Sequence, residues 1–462
     1  MTRTAAIEWV DGYMADGHFE VDLARRVAVP TESQVPEGLP HTWTYLKTEM
    51  ADAFEAMGFT WQIFENPLEG VGPVMLATRD EGADTTVLGY GHGDVIRAQT
   101  ELWTKGKGPW ELARDGERLY GRGTADNKAQ HLINMKGLEA VLATRGRLGF
   151  NAKFIIEMAE ENGSQGLWEI VEANKEAFAA DVLIASDGPR VRPERPTLSL
   201  GARGGKNFDL VCSLREGAHH SGNWGGAIAD PAMILAHALA SVCGPTGQIL
   251  IPEWLPPPMT NAVRNALADV TLDPGEGGPT IDPDWGEPGM TTAEKVYGWN
   301  SFAVLAMGAG NPSAPVNAIQ PEARAHCQLR YIAGTDVPNI LPALRAHLDA
   351  HGFSQIEIAP PTGRNFAGFE ASRTEPDHPW VQRVLTSVQK TAGEKPAIIP
   401  QMGGSICNDV FTELLDIPAI WLPHSYTGCS QHAPDEHVLL PVCESALRLM
   451  AGLYWDLGEA PD

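Results

Sequence analysis

TTVLGYGHGDV, Thr85 to Val95, is an apolar, strand-like run that ends in a histidine and an aspartate. The segment after it, NKAQHLINMKGLEAVLATRG, has the apolar spacing of a helix. The pattern then repeats. AKFIIEMAEEN reads as a strand, GLWEIVEANKEAFA as a helix and DVLIASDGP as another strand. Strand–helix–strand alternation implies parallel crossovers and a sheet covered on both faces, hence an α/β fold. Functional side chains in such sheets collect at the carboxyl ends of the strands. Here those ends carry His92 and Asp94, then Glu160 and Glu161, then Asp187.

Outward from this core the texture changes near Gly204. KNFDLVCSLREG and EARAHCQLRYIAG alternate in polarity as strands with one exposed face do, and PAMILAHALASVCG and PNILPALRAHLDAHG read as amphipathic helices. Together they suggest an α+β insert. Between them Pro252 to Pro288, rich in Pro, Gly and Asp, reads as an irregular excursion. The α/β texture returns near Glu370, with a helix in PWVQRVLTSVQKTAG and a strand in PAIWLP. The expected division is a first catalytic part at 1–203, an insert at 204–367 and a second catalytic part at 368–462.

Composition narrows the function classes. The chain has 462 residues, 43% hydrophobic and 20% charged, as in a folded protein of two or three domains. No apolar run approaches the roughly 18 residues of a membrane span, and the N-terminal residues show no apolar h-region or cleavage site of a secretory signal. Cytoplasm is the expected compartment. A net charge of −25 repels phosphate backbones and anionic lipid, which argues against nucleic acid and membranes as partners. Six cysteines without CxxC spacing suggest reduced, buried thiols.

The acids and histidines at the strand ends suit metal ligation. A hydrolase with two divalent ions needs His and carboxylate ligands, one of them bridging, and an unligated base beside the attacking water. His92 and Asp94 share a face of extended chain, so Asp94 can accept the second ring N–H of His92. Asp126 follows a glycine turn in LYGRGTADNKAQ, and His432 lies in SQHAPDEH. In extended chain Glu160 and Glu161 would point to opposite faces, which separates their duties. Taken singly, each element has an ordinary reading: a surface HxD pair, a helix N-cap at Asp126, an Asp-Gly-Pro turn, a loop histidine. Two dications would be balanced by Asp126, Glu161, Asp187 and one hydroxide.

In order, GHGDV, LYGRGTADNKAQ, EMAEENGSQG, SDGP, HHSGNWGGAIADP, NAIQPEARAHCQLR, MGGSI and HAPDEH resemble the motifs of the M20 family of co-catalytic metallopeptidases. That family includes carboxypeptidases, carnosine-type dipeptidases, aminoacylases and acetylornithine and succinyl-diaminopimelate deacylases. The resemblance implies a mixed sheet flanked by helices, with an inserted lid and dimerisation domain. It also implies two divalent metal ions, zinc foremost with cobalt or manganese as alternatives. One metal would take His92 and Asp187, the other Glu161 and His432, with Asp126 bridging. Glu160 would be the general base and Asp94 the orienter of His92.

The same resemblance gives His220, before Ser221-Gly222, as a lid histidine that reaches a partner's active site in a homodimer and supports the oxyanion. Arg330 would bind a substrate carboxylate. Asn317 and the backbone of Gly403, Gly404 and Ser405 would complete the pocket. The implied activity is cleavage of a dipeptide or a related small amide with a free carboxylate. The alternatives are an N-acyl amino acid deacylase or a catalytically silent binding protein. Asn127-Lys128-Ala129 after Asp126, Cys407 in GGSIC and the Pro-Asp-Glu after Ala433 depart from common family patterns.

Overall fold

A computed structural model of the chain describes residues 2–275, 278–361 and 369–459. Its two main sheets use β1 (Thr60–Phe64), β2 (Val74–Arg79), β3 (Thr86–His92), β4 (Asn151–Glu157), β5 (Val182–Ala185), β6 (Thr197–Ser199), β7 (Gly204–Ser213), β8 (Ser301–Gly308), β9 (Glu322–Tyr331), β10 (Glu357–Ala359), β11 (Ala397–Ile399) and β12 (Ala419–Trp421). The helices that matter below are α1 (Arg3–Ala15), α2 (Ala129–Arg145), α3 (Pro231–Val242), α4 (Asn261–Leu267), α5 (Thr292–Tyr297), α6 (Ile340–Ala350), α7 (Pro379–Ala392) and α8 (Leu440–Leu457).

The larger sheet has the order β1-β2-β4-β3-β5-β12-β6-β11. Its centre, β4-β3-β5-β12, is parallel as the alternation predicts. β1 and β2 join antiparallel on one side, and β6 meets β12 antiparallel on the other, so the sheet is mixed. The two-residue period divides the core. Val182 and Ile184 of β5 face α1, α2, α7 and α8, whereas Leu183 and Ala185 face Tyr90, Phe411 and Trp421. Full burial of one such aliphatic or aromatic side chain contributes about 1.5–3 kcal/mol. With both faces covered in this way, the fold needs no covalent staple, and all six cysteines are free thiols.

The smaller sheet, β8-β9-β7-β10, is antiparallel throughout. Phe208, Leu210, Ala325, Cys327 and Leu329 turn inward against Leu235 of α3 and Leu344 of α6. Every second residue of β9, including His326 and Arg330, therefore points to the opposite, half-open face. β8 is an edge strand, and Val304, Leu305 and Met307 on it are exposed.

Pro252 to Pro288 is not the wholly irregular excursion expected. Trp254 is fully buried in the core of the small sheet, with its indole N–H donating to the Ile340 carbonyl at 2.8 Å. Helix α4 follows, its N-terminus capped by Thr260. Val263 and Leu267 of α4 pack with Val191, Ala397 and Ile399 at the β11 edge of the large sheet. The excursion thus crosses from one sheet to the other. The expected boundary at 367/368 lies outside the described residues. Among the described residues no helix is long and apolar enough to cross a membrane.

Candidate active site

β3 delivers His92 at its carboxyl end, and two glycines allow Asp126 to meet it. A Cβ on Gly91 would lie 2.4 Å from the His131 Cβ and 3.2 Å from the Asn127 side-chain oxygen, so only glycine lets the start of α2 approach β3 this closely. Gly123, at φ +84°, turns the chain into Thr124–Lys128, which precedes α2 and carries Asp126. The turn is held from below by Glu436, which is fully buried. Glu436 accepts the backbone N–H groups of Gly123, Ala125 and Asp126 at 3.0, 2.8 and 3.1 Å, and pairs with Arg122 at 2.7 Å. These bonds fix the aspartate from behind.

Glu160 and Glu161 do not lie in extended chain as expected. β4 ends at Glu157, and the two acids open a single 3₁₀ turn, Glu160–Asn162. The turn, and not strand alternation, therefore sets the direction of the two side chains. Asp94 holds this turn: one carboxylate oxygen accepts the Glu160 N–H and the other the Glu161 N–H, each at 3.2 Å. It also stands 3.4 Å from His92 Nδ1, which lies 3.1 Å from the Asp94 carbonyl. The expected contact of Asp94 with His92 is present, and the grip on the glutamate turn is an addition.

The side chains converge on Asp126. One of its oxygens is 2.8 Å from His92 Nε2; the other is 3.1 Å from His432 Nε2 and 2.5 Å from Gln431 Nε2. His432 Nε2 is also 3.0 Å from Glu161 Oε2, and His92 Nε2 is 3.7 Å from Asp187 Oδ2. His432 occupies the left-handed region at φ +59°, a conformation costly for a non-glycine residue and often kept at functional sites. Two triads result, each with ligand atoms within 4.8 Å of one another: His92, Asp126 and Asp187, and Asp126, Glu161 and His432. Asp126 belongs to both. Glu160 stands beside them, its Oε2 3.9 Å from His92 Nε2.

The electrostatics fit a pair of cations. Burial raises Glu161 to about 7, with the charge of Asp126 adding to it, and raises Asp187 to about 6 for the same two reasons. Burial also lifts Glu160 well above the carboxylate range, against the pull of His92 and with the push of Asp187 and Glu161. His432 is raised to about 11 by its hydrogen bonds to Asp126 and Glu161. So many carboxylates in a buried space lack positive charge, and divalent ions at the two triads would supply it. His and carboxylate donors in groups of three are the donor set of catalytic metal sites.

Ser405, Gly403 and Gly404 line the same cavity as Asp126, Glu160, Asp187 and His432. Arg330 does not line it but donates to Ser405 Oγ at 2.7 Å, joining the small sheet to the cavity rim. His220 and Asn317 stand apart, both exposed, with Asn317 O accepting the Ser221 N–H at 2.9 Å. Burial raises the Cys407 thiol well above its ordinary value and Cys429 to about 12, so neither offers a thiolate nucleophile at neutral pH. Glu436, Gln431 and Arg122 were missed as site residues. Glu436 sits inside HAPDEH, and its spacing from His432 was the available clue.

Two triads that share an aspartate at the carboxyl edge of parallel strands make this chain a metal-dependent hydrolase in architecture. The profile of Peptidase family M20/M25/M40 matches residues 88–456, and the chain belongs to that family of peptidases. It is 30% identical over 340 residues to the cysteinylglycine-S-conjugate dipeptidase of Corynebacterium striatum, covering 70% of each chain. Over 211 residues it is 36% identical to human Beta-Ala-His dipeptidase, a match spanning 44% of this chain and 41% of that one. The fold is similar to that in the crystal structure of human carnosine dipeptidase 1, with a TM-score of 0.77 at 22% identity and coverage of 99% and 98%.

Proposed function

We propose that this protein is a two-cation dipeptidase in which Glu160 is the general base. The observation that carries the reading is the position of Glu160: beside both triads and outside either, with its Oε2 3.9 Å from His92 Nε2. His92 and Asp187 would hold one ion, Glu161 and His432 the other, with Asp126 between them. Zinc is the preferred ion, and cobalt and manganese suit the same donors. Bound there, two divalent ions supply Lewis acidity and bring a water molecule's pKa toward neutrality.

The side chains perform the remaining work. Glu160 accepts the proton of the attacking water and hands it to the leaving amine, a shuttle that requires a pKa near the working pH. Asp94 positions Glu160 by fixing its backbone, and Glu436 does the same for Asp126. Ser405, held by Arg330, and the N–H groups around Gly403 and Gly404 meet the substrate's carboxylate end. The relatives named above are dipeptidases, which favours a peptide over an N-acyl amino acid.

We also infer that residues 204–367 form a lid that pairs with a second copy. The exposed apolar residues of the edge strand β8 support this reading, since such an edge invites pairing. His220 and Asn317, outside the cavity of their own chain, would then serve the partner's. The six free thiols and the net charge of −25 support a reducing cytoplasmic setting without nucleic acid. The test is a panel of dipeptides set against acetyl, succinyl and carbamoyl amino acids, assayed with zinc, cobalt and manganese. Dipeptide turnover is expected; turnover of the acyl series alone overturns the reading, as does a protein that binds no metal and cleaves nothing.

A further inference from the structure

The cavity that contains the catalytic cluster extends well beyond it. Its volume is about 540 Å³. Besides Glu160 and Asp187 it is lined by apolar side chains that form a chamber wall: Leu272 and Ile281 of the excursion, Val296 and Tyr297 of α5, and Ile399 and Met402 from β11 and the loop after it. The wall is anchored to the catalytic sheet. Val263 and Leu267 of α4 and Ala293 of α5 pack on Ala397 and Ile399 of β11, and β11 lies in the same sheet as the strands that present His92 and Asp187. The chamber's distance from the cluster is thus set by the sheet.

Two charged groups also border the cavity. Asp273 is exposed and accepts the Gly275 N–H at 2.9 Å. Arg190 donates from Nε to the Pro423 carbonyl at 3.2 Å and from Nη1 to the Pro193 carbonyl at 3.1 Å, while its Nη2 is buried without a hydrogen-bond partner. An occupant seated against Leu272, Ile281 and Val296 would meet hydrocarbon. Leu272, Ile281 and Val296 also line a second cavity of about 280 Å³, which holds Trp285 and Trp299. The partition between the two cavities is a single layer of side chains, so it can yield to a bulky group.

We propose that this chamber receives a large apolar side chain of the dipeptide, and that Leu272, Ile281 and Val296 set the preference. The inference rests on the dipeptidase reading above and extends it to a substrate class. A glycine or alanine side chain would leave the chamber to water, whereas a leucine or phenylalanine side chain would fill it. Each methylene transferred from water to such a wall is worth roughly fourfold in binding, and discrimination on this scale appears in kcat/KM when the transition state keeps the contact.

The experiment measures kcat/KM of the metal-loaded full chain on two series, X-Gly and Gly-X, with X as Ala, Leu and Phe. In one of the series a rise of roughly 100-fold from Ala to Phe is expected. Ile281→Asp and Val296→Asp, which place a charge in the wall, should each lower the Phe-to-Ala ratio in that series at least tenfold. A flat profile in both series overturns the inference and leaves the dipeptidase reading standing; so does a ratio that neither variant changes. Absence of hydrolysis across both series overturns the dipeptidase reading, and the inference falls with it. The wild-type profile decides the matter even if a variant fails to fold.

Discussion

At the scale of single residues, the two adjacent glutamates should fail in different ways. Glu160→Gln keeps both triads intact and removes the group placed to carry the proton, so the variant should retain two bound ions by elemental analysis and lose turnover by roughly 10²–10⁴-fold. Glu161→Gln removes one member of the Asp126–Glu161–His432 triad, so one ion should be lost first under limiting metal. Equal metal content and equal activity in the two variants would sink the assignment. Glu157, the neighbour of His92 across the sheet and a member of neither triad, offers a pH test. One of its oxygens accepts hydrogen bonds from Tyr90 and Ser164 and a weaker one from Cys407, the other has no partner, and burial pushes the group to about 7 from an ordinary 4.5. Because the folded pKa is raised, the folded state keeps a proton between those two values that the unfolded chain has lost. Stability therefore falls as pH rises through that window, by about 3 kcal/mol in all. Glu157→Gln should be stabilised relative to wild type by an amount that grows over the same window, as read by denaturant unfolding at a series of pH values. A constant difference would show that Glu157 does not titrate there. The residues of the two triads were legible in the sequence because metal-ligand chemistry is restricted to a few residue types, His and carboxylate among them. Glu436 and Gln431 were less so, since a residue that holds Asp126 from behind or beside it shows only as spacing from His432 and not as a distinct chemical type.

At the scale of elements, the site depends on how closely α2 approaches β3. Gly91→Ala would place a methyl group 2.4 Å from the His131 Cβ, and the helix start that carries Asn127 would have to move. Overpacking of this kind costs about 1–3 kcal/mol. The thermal midpoint should fall, and metal affinity should fall with it because Asp126 precedes the displaced helix; a variant with native affinity would show that the helix position does not matter. Here the strands β3, β4 and β5 were legible as continuous apolar runs with clear ends, and α2 by its length and helical spacing. Three-residue strands such as β6 and β11 are too short to show a period, and their place is decided by neighbours distant in sequence. Helix α4 was hidden for a related reason. Its seven residues span only two turns, too short to show a clear helical period, and lie in a Pro- and Gly-rich stretch, so only its docking against Val191 and Ile399 reveals it. The 3₁₀ turn of Glu160 and Glu161 likewise looks like a continuation of β4 until Asp94 is seen to hold both N–H groups.

At the scale of the whole molecule, the change of texture near residues 204 and 370 suggests an α/β unit interrupted by an α+β insert. How the excursion bridges the two sheets, and what covers the free edge of β8, depends on surfaces that no local pattern encodes. The edge leads to the last prediction. Leu305→Lys would put a charge on an apolar edge strand whose neighbours Val304 and Met307 are also exposed. If two copies pair there, the variant should sediment as a monomer and lose activity although every residue of its own two triads is unchanged. Mixing then separates a shared site from a mere loss of stability. His220→Ala and Glu160→Gln subunits, each nearly inactive alone, are combined in equal amounts and allowed to exchange. Random pairing makes about half of the dimers mixed, and in each mixed dimer one site combines an intact Glu160 with an intact His220 from the other subunit, so about a quarter of wild-type activity should return. Were His220 to act within its own chain, each site would still carry one defect, and mixing would restore nothing.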